Sequence, residues 1–382
     1  MSRPAPSADR RKLPKLIPLT VFTGFLGAGK TTLLNKLLKD PTLAETAVII
    51  NEFGEVSLDH LLVEYVSDNL VLLQSGCLCC TMRGDLVDAL ETLLRDLDNC
   101  RCKFRRVLLE TTGLADPAPV LHTIMSHPYL LLRYRLDGVV AVVDAVNGNS
   151  TLDAHTEAVK QAALADRLVL SKTDIATPAQ HDALVARLHA LNPAAPVLDA
   201  IKGEATPARL LNCGLYDPDR KIPDVKKWLA AEAYTDTHGH HDHHHDNDHA
   251  HLDRNRHDDH IASFVLTSDN VIPAGTLEMF LELLRATHGA KLLRIKGIVK
   301  LAEMPDTPVV VHGVQHVIHP PARLERWPDD DHRSRLVFIT RDLPERTVRE
   351  LFEAFLGGVA PDRPDRTALT ANPLIPFGGA DA

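Results

Sequence analysis

The sequence predicts an α/β fold: a larger domain built on a mostly parallel sheet, followed by a smaller α+β domain. Three observations carry this expectation. An apolar, β-branched run, IPLTVFTG at 17–24, passes through a glycine-rich turn into helically spaced Leu33, Leu34, Leu37 and Leu38. Three more buried-type strands then recur, in RVLLETTG (106–113), GVVAVVDA (138–145) and DRLVLSKTD (166–174). Beyond a histidine- and aspartate-rich stretch, strand-like and helix-like segments alternate again over 261–360.

With 382 residues, 45% hydrophobic and 24% charged, the chain is long enough for two domains with separate cores. The expected division is a tail at 1–14, a first domain at 15–225, a linker at 226–260, a second domain at 261–360 and a loose tail at 361–382. MSRPAPSADRRKLPK at the N-terminus is basic and proline-rich but lacks the apolar run of a signal peptide. No stretch approaches the ~18 apolar residues of a membrane helix. A cytoplasmic location with reduced thiols is therefore expected. The formal net charge of −9 gives no general attraction to nucleic acid or anionic lipid, and neither is expected as a partner.

Each element has a local reason. The turn after the first strand is GFLGAGKT, which fits G-x-x-x-x-G-K-[ST] between a strand and a helix, the setting of a P-loop NTPase domain. Gly24, Gly27, Ala28, Gly29, Lys30, Thr31 and Thr32 are expected to hold phosphates through backbone N–H groups and the helix N-terminus. Lys30 balances phosphate charge, and the Thr31 hydroxyl suits Mg²⁺. Glu110 ends a strand where a carboxylate can hold the magnesium shell, and three residues on, the Gly113 N–H can sense a γ-phosphate. Lys30, Thr31 and Glu110 are the expected catalytic residues. In SKTD, Lys172 and Asp174 suit guanine, because one carboxylate can accept both the N1 proton and an exocyclic amine proton. Ser171 stands where GTPases usually carry Asn. GTP is expected over ATP.

QSGCLCCTMRG (74–84) packs Cys77, Cys79 and Cys80 within four positions. Disulfide geometry disfavours pairing between such neighbours, and thiolates are soft donors for Zn²⁺, Cu⁺ or Co²⁺. Cys100 and Cys102, in NCRCKF, could form a second thiol pair, but they and Cys213 are expected to be more ordinary than the cluster at 77–80. The stretch 236–260 holds ten histidines among aspartates and cannot bury a core, which suggests a flexible linker and a labile metal reservoir. In the second domain, IASFVLTSDN, KLLRIKGIVKLAE, TPVVVHGVQHVIH and SRLVFITRDL read as strands, and PAGTLEMFLELL and PERTVRELFEAFL as helices. His312, His316 and His319 are expected to alternate along one strand, facing core or solvent rather than a metal.

GFLGAGKTT, INEFGE (50–55), GCLCC (76–80), ETTGLADP (110–117) and SKTD, in this order, resemble the CobW-type P-loop GTPases over roughly 17–360. The resemblance implies a GTP-driven metallochaperone with a GTPase domain and a smaller α+β domain, serving a client metalloprotein. The thiol segment then falls after a nucleotide-sensing switch, and Glu55 or water could complete a three-cysteine metal site. Ile50 stands where some members carry a carboxylate before the Asn of NEFGE. ETTGLADPAPVLHTIMSHPYLLLRYRLDGVVAVVDA is most similar to the zinc-associated branch, so Zn²⁺ is the expected cargo. Delivery of Co²⁺ for cobalamin synthesis and a metal buffer with regulatory nucleotide binding are the alternatives. Oligomeric state is not legible. Leu114 follows Gly113 where many signalling GTPases place a water-orienting glutamine, so unassisted hydrolysis is expected to be slow.

Overall fold

The computed structural model describes residues 15–53, 70–75, 81–213, 260–319 and 321–356. Seven strands, β1 (Ile17–Thr23), β2 (Thr46–Phe53), β3 (Leu70–Ser75), β4 (Arg106–Glu110), β5 (Tyr134–Asp144), β6 (Arg167–Ser171) and β7 (Val197–Asp199), form one sheet. Their order is β3-β2-β4-β1-β5-β6-β7, and every adjacent pair is parallel. The expected mostly parallel sheet is thus parallel throughout. Because β4 and β5 flank β1, the sheet reverses its winding beside β1, where ligands of open α/β sheets bind at the strands' carboxyl ends.

Helices cover both faces: α1 (Lys30–Leu38), α2 (Thr81–Asp98), α3 (Ala118–Ser126), α4 (Pro128–Leu131), α5 (Gly148–Ala154), α6 (Thr156–Leu164), α7 (Pro178–Leu191) and α8 (Pro207–Leu210). The period-2 alternation of β1 divides the core. Leu19 and Val21 pack with Leu90 and Leu94 of α2 and Leu121 of α3, while Phe22 turns to Leu33, Leu34 and Leu37 of α1. Each such leucine stabilises the fold by roughly 1.5–3 kcal/mol. β5 starts earlier than the run GVVAVVDA suggests. Tyr134 is buried there, its hydroxyl donating to Leu90 O at 2.9 Å, and a register shift lies between Leu136 and Gly138.

In the second domain, β8 (Ile261–Ser268), β9 (Leu292–Leu301), β10 (Met304–Val314), β11 (Val317–Ile318) and β13 (Ser334–Arg341) form an antiparallel sheet. The order is β11-β10-β9-β13-β8, with β12 (Ala322–Arg323) also pairing β10. The amphipathic helices α9 (Ala274–His288) and α10 (Glu345–Leu356) share one core with this sheet, Phe280 meeting Phe352 edge to face at 5.2 Å. The three histidines do not alternate along one strand. His312 is on β10, His316 is in the turn that Gln315 closes at φ 50°, and His319 follows β11.

Part of the second sheet rests on the first domain. Ala163 of α6 packs against Leu293 and Ile339, and His122 Nε2 of α3 donates to Val314 O at 2.9 Å. Between these contacts lies a buried charge cluster. Asp166, between α6 and β6, receives Arg294 Nη2 at 2.5 Å and the Lys296 ammonium, while Arg294 also donates to Leu164 O. The second Asp166 oxygen accepts the Val139 N–H at 2.9 Å. Among the described residues, no helix is long and apolar enough to cross a membrane.

Candidate functional site

The carboxyl ends of β1, β4, β5, β6 and β7 bring the sequence-predicted nucleotide residues to one edge of the sheet. Gly24 leaves β1 at φ 140°, and a Cβ there would lie 2.2 Å from Val142 O, so the loop can turn only on glycine. Gly29 caps α1 in the left-handed region, and the first helical residues are Lys30, Thr31 and Thr32. Lys30 is 8% exposed, and its ammonium reaches back over the loop to Phe25 O at 3.2 Å. That places a positive charge inside the ring of backbone N–H donors where phosphates bind.

Thr31 Oγ1 donates to Glu110 Oε1 at 2.8 Å. A helix-start hydroxyl and a strand-end carboxylate therefore share one spot, and this pair of hard oxygens fits Mg²⁺. Beyond Glu110, Thr111 Oγ1 donates to Thr23 Oγ1 at 3.0 Å, tying the segment to β1. Gly113 then packs so closely on the P-loop that a Cβ would lie 2.6 Å from the Leu26 nitrogen. A side chain at 113 would push the two loops apart. Leu114, beside it, is exposed.

At the end of β6, Ser171 Oγ donates to Ala28 O at 2.7 Å, fastening the strand that carries SKTD to the P-loop with a single hydroxyl. Lys172 adopts φ 57°, and its ammonium pairs with Asp144 at 2.7 Å. Asp144 also accepts from the Val146 and Asn147 N–H groups. Burial pushes the Asp144 carboxyl up, but Lys172, the Asn147 side chain and these amides together hold it below the usual range. Asp174 is exposed at the rim. Thr173 donates to Asp199 at 2.8 Å, and Asp199 also accepts the N–H groups of Ile201 and Lys202, so the loop after β7 closes beside Asp174.

Asp144 and Asp199, which hold Lys172 and Thr173 in place on either side of the SKTD turn, are not singled out by the sequence reading. A signal existed, since both end an apolar strand in a carboxylate, as Glu110 does. The expected metal ligands Cys77, Cys79, Cys80 and Glu55, and all of the histidine-rich stretch except His260, lie outside the described residues. Among the described residues no group of three or more His, Cys, Asp or Glu could hold a metal ion. Burial raises the Cys102 and Cys213 thiols, Cys213 to about 12, and Cys213 Sγ donates to Leu210 O at 2.8 Å.

Fold and site together define a P-loop nucleotide-binding protein with a guanine-type base motif and an appended antiparallel α+β domain. Residues 18–199 match the CobW/HypB/UreG nucleotide-binding domain and residues 261–356 the cobalamin synthesis protein cobW C-terminal domain. The chain belongs to the CobW family. It is 35% identical over 339 residues to the zinc chaperone YjiA of Escherichia coli, covering 88% of this chain and 98% of that protein. The crystal structure of Zn(II)-bound YjiA GTPase superposes with a TM-score of 0.63 at 30% identity, covering 90% of this chain and 99% of that one. A zinc-regulated GTPase metalloprotein activator of Schizosaccharomyces pombe is 36% identical over 166 residues, 42% of this chain and 39% of that protein.

Proposed function

We propose that this protein is a cytoplasmic GTP-hydrolysing metallochaperone that carries zinc at Cys77, Cys79 and Cys80 and delivers it to a client metalloprotein. One observation supports the link between cargo and nucleotide above all others. β3 runs parallel to β1 and ends at Ser75, on the carboxyl edge of the sheet, and α2 begins at Thr81, so the elements that flank the cysteines in sequence turn at the edge that carries the P-loop. The similarity to a zinc chaperone and to its zinc-bound structure favours zinc as the cargo.

In this reading Asp174 recognises guanine, Lys172 is held against the P-loop side by Asp144, and Lys30 neutralises phosphate charge. Thr31 and Glu110 would hold Mg²⁺, which neutralises charge on the phosphate oxygens when bound. The leaving γ-phosphate would release Gly113 and its neighbours, and through them the cysteine segment. The histidine-rich stretch would supply weakly held metal.

With Asp174 facing the base, GTP is expected to bind at least tenfold tighter than ATP in Mg²⁺, a gap of ~1.4 kcal/mol. Displacement of a fluorescent GTP analogue measures it, and equal competition by ATP would overturn the guanine assignment. The central test couples metal to nucleotide. Zinc affinity, from chelator competition, is expected to be ~5–150-fold tighter with a GTP analogue than without nucleotide, and zinc must tighten the analogue by the same factor. Changing Cys79 and Cys80 together to Ala should remove both effects while leaving metal-free GTP binding intact. Identical zinc affinity with the analogue, with GDP and without nucleotide would mean a permanent structural ion and no chaperone cycle.

A further inference from the structure

The loop that follows Glu110 is held from behind by one helix. Gln161 of α6 donates through Nε2 to Gly113 O at 3.1 Å and to Ala115 O at 3.0 Å, and its neighbour Lys160 pairs with Asp116 at 2.7 Å. Gln161 is 2% exposed, and its Oε1 has no hydrogen-bond partner among the described residues. Burying a carboxamide is costly unless it is hydrogen-bonded, and here the Nε2 group carries those bonds. Gln161 also lines a cavity of about 330 Å³ together with Phe25 and Leu26 of the P-loop.

These bonds orient the loop. In a trans peptide the N–H points opposite to the C=O, so drawing the Gly113 and Ala115 carbonyls toward α6 aims the Leu114 and Asp116 N–H groups away from it. The C-terminal end of α6, one turn beyond Gln161, is gripped by the second domain. Leu164 O accepts from Arg294, Ala163 packs on Leu293 and Ile339, and Asp166 follows with its two cations. Gln161 and Leu164 lie one helical turn apart, so a shift of the loop must move the contact with β9 or break a bond.

We propose that Gln161 is a positioning residue for GTP hydrolysis, holding the Gly113–Ala115 loop against the P-loop, and that α6 passes the state of that loop to the C-terminal domain. The proposal rests on the GTPase reading above. Gln161 touches no phosphate, and it acts through the loop it holds.

Gln161→Met and Gln161→Glu in the full-length chain test it. Both remove the paired donors at nearly constant side-chain length. Each is expected to lower kcat about tenfold to 100-fold, as small misplacements of reacting groups do. GDP affinity should stay within about twofold, while the ratio of GTP-analogue to GDP affinity falls at least about fivefold, since only the γ-phosphate meets this loop. Gln161→Glu carries a further signature. A buried carboxyl titrates high, and its protonated form regains one donor, so its kcat relative to wild type should rise as pH falls from about 8 to about 6. Amide exchange over 292–301 is expected to differ between analogue and GDP in wild type, and to lose that difference in Gln161→Met.

Wild type that fails to hydrolyse GTP would take down the functional reading and this proposal with it. Active wild type with unchanged kcat and unchanged nucleotide discrimination in both variants would overturn the clamp alone. Equal weakening of both nucleotides with a lowered Tm would reduce Gln161 to a packing residue and also overturn it. Nucleotide-independent exchange over 292–301 in wild type would overturn the link to the C-terminal domain.

Discussion

Replacing Lys30 with Ala is expected to lower GTP hydrolysis by at least about 100-fold, the scale on which one preorganised charge or donor acts in a closed site. Lys30 is the buried cation inside the P-loop, held over it by Phe25 O. In the GTPase reading, the charge that gathers on the transferring phosphoryl oxygens would lose this ammonium as a partner. The effect should fall mainly on kcat, because the loop's N–H groups still bind the α- and β-phosphates. Phosphate release measured alongside GDP affinity separates the two. Retained turnover in Lys30→Ala would place the active site elsewhere.

The second large effect is on stability. Asp166→Asn is expected to destabilise the protein by about 3–5 kcal/mol, because it leaves Arg294 and Lys296 buried opposite a neutral amide. Urea unfolding followed by circular dichroism measures the loss. Converting the whole cluster, with Asp166→Asn, Arg294→Met and Lys296→Met together, should recover most of it, since the penalty comes from unpaired charge. A loss under about 1 kcal/mol for Asp166→Asn would mean that water or other groups already compensate these cations.

The sign of the pH dependence follows from the same cluster. Burial alone would raise the Asp166 carboxyl, but Arg294 and then Lys296 outweigh it and hold it well below the usual carboxylate range. A carboxyl depressed in the folded state stabilises the fold above its unfolded pKa of about 3.9, and that contribution disappears as pH falls through the depressed value. Acid unfolding should therefore be less steep in Asp166→Asn than in wild type.

Much of the nucleotide edge was legible because its chemistry is local. GFLGAGKT, the carboxylate at Glu110 and the SKTD turn are contiguous patterns in which backbone conformation and side-chain type are set within a few residues. Of the seven strands of the first sheet, β2, β3 and β7 were not read as strands, whereas β1, β4, β5 and β6 were legible, since a sheet buried on both faces needs unbroken apolar runs. The ends of β5 and the placement of His316 were not, because a buried Tyr134 and a left-handed Gln315 depend on what packs around them.

What holds these pieces together lay beyond any local pattern. Lys172 is positioned by Asp144, Gly113 by Gln161, and the second domain by Asp166, each through a partner from another strand or helix. In the linear chain, Gln161 is one polar residue in an alanine-rich helix, and Arg294 and Lys296 are two cations in an apolar strand. Their roles arise only once parallel crossovers bring the ends of β4, β5 and β6 to one edge and α6 under the second sheet. Pairings between distant residues depend on strand order and on which face each helix covers, and a buried charge or amide is tolerable only where the fold delivers its partner.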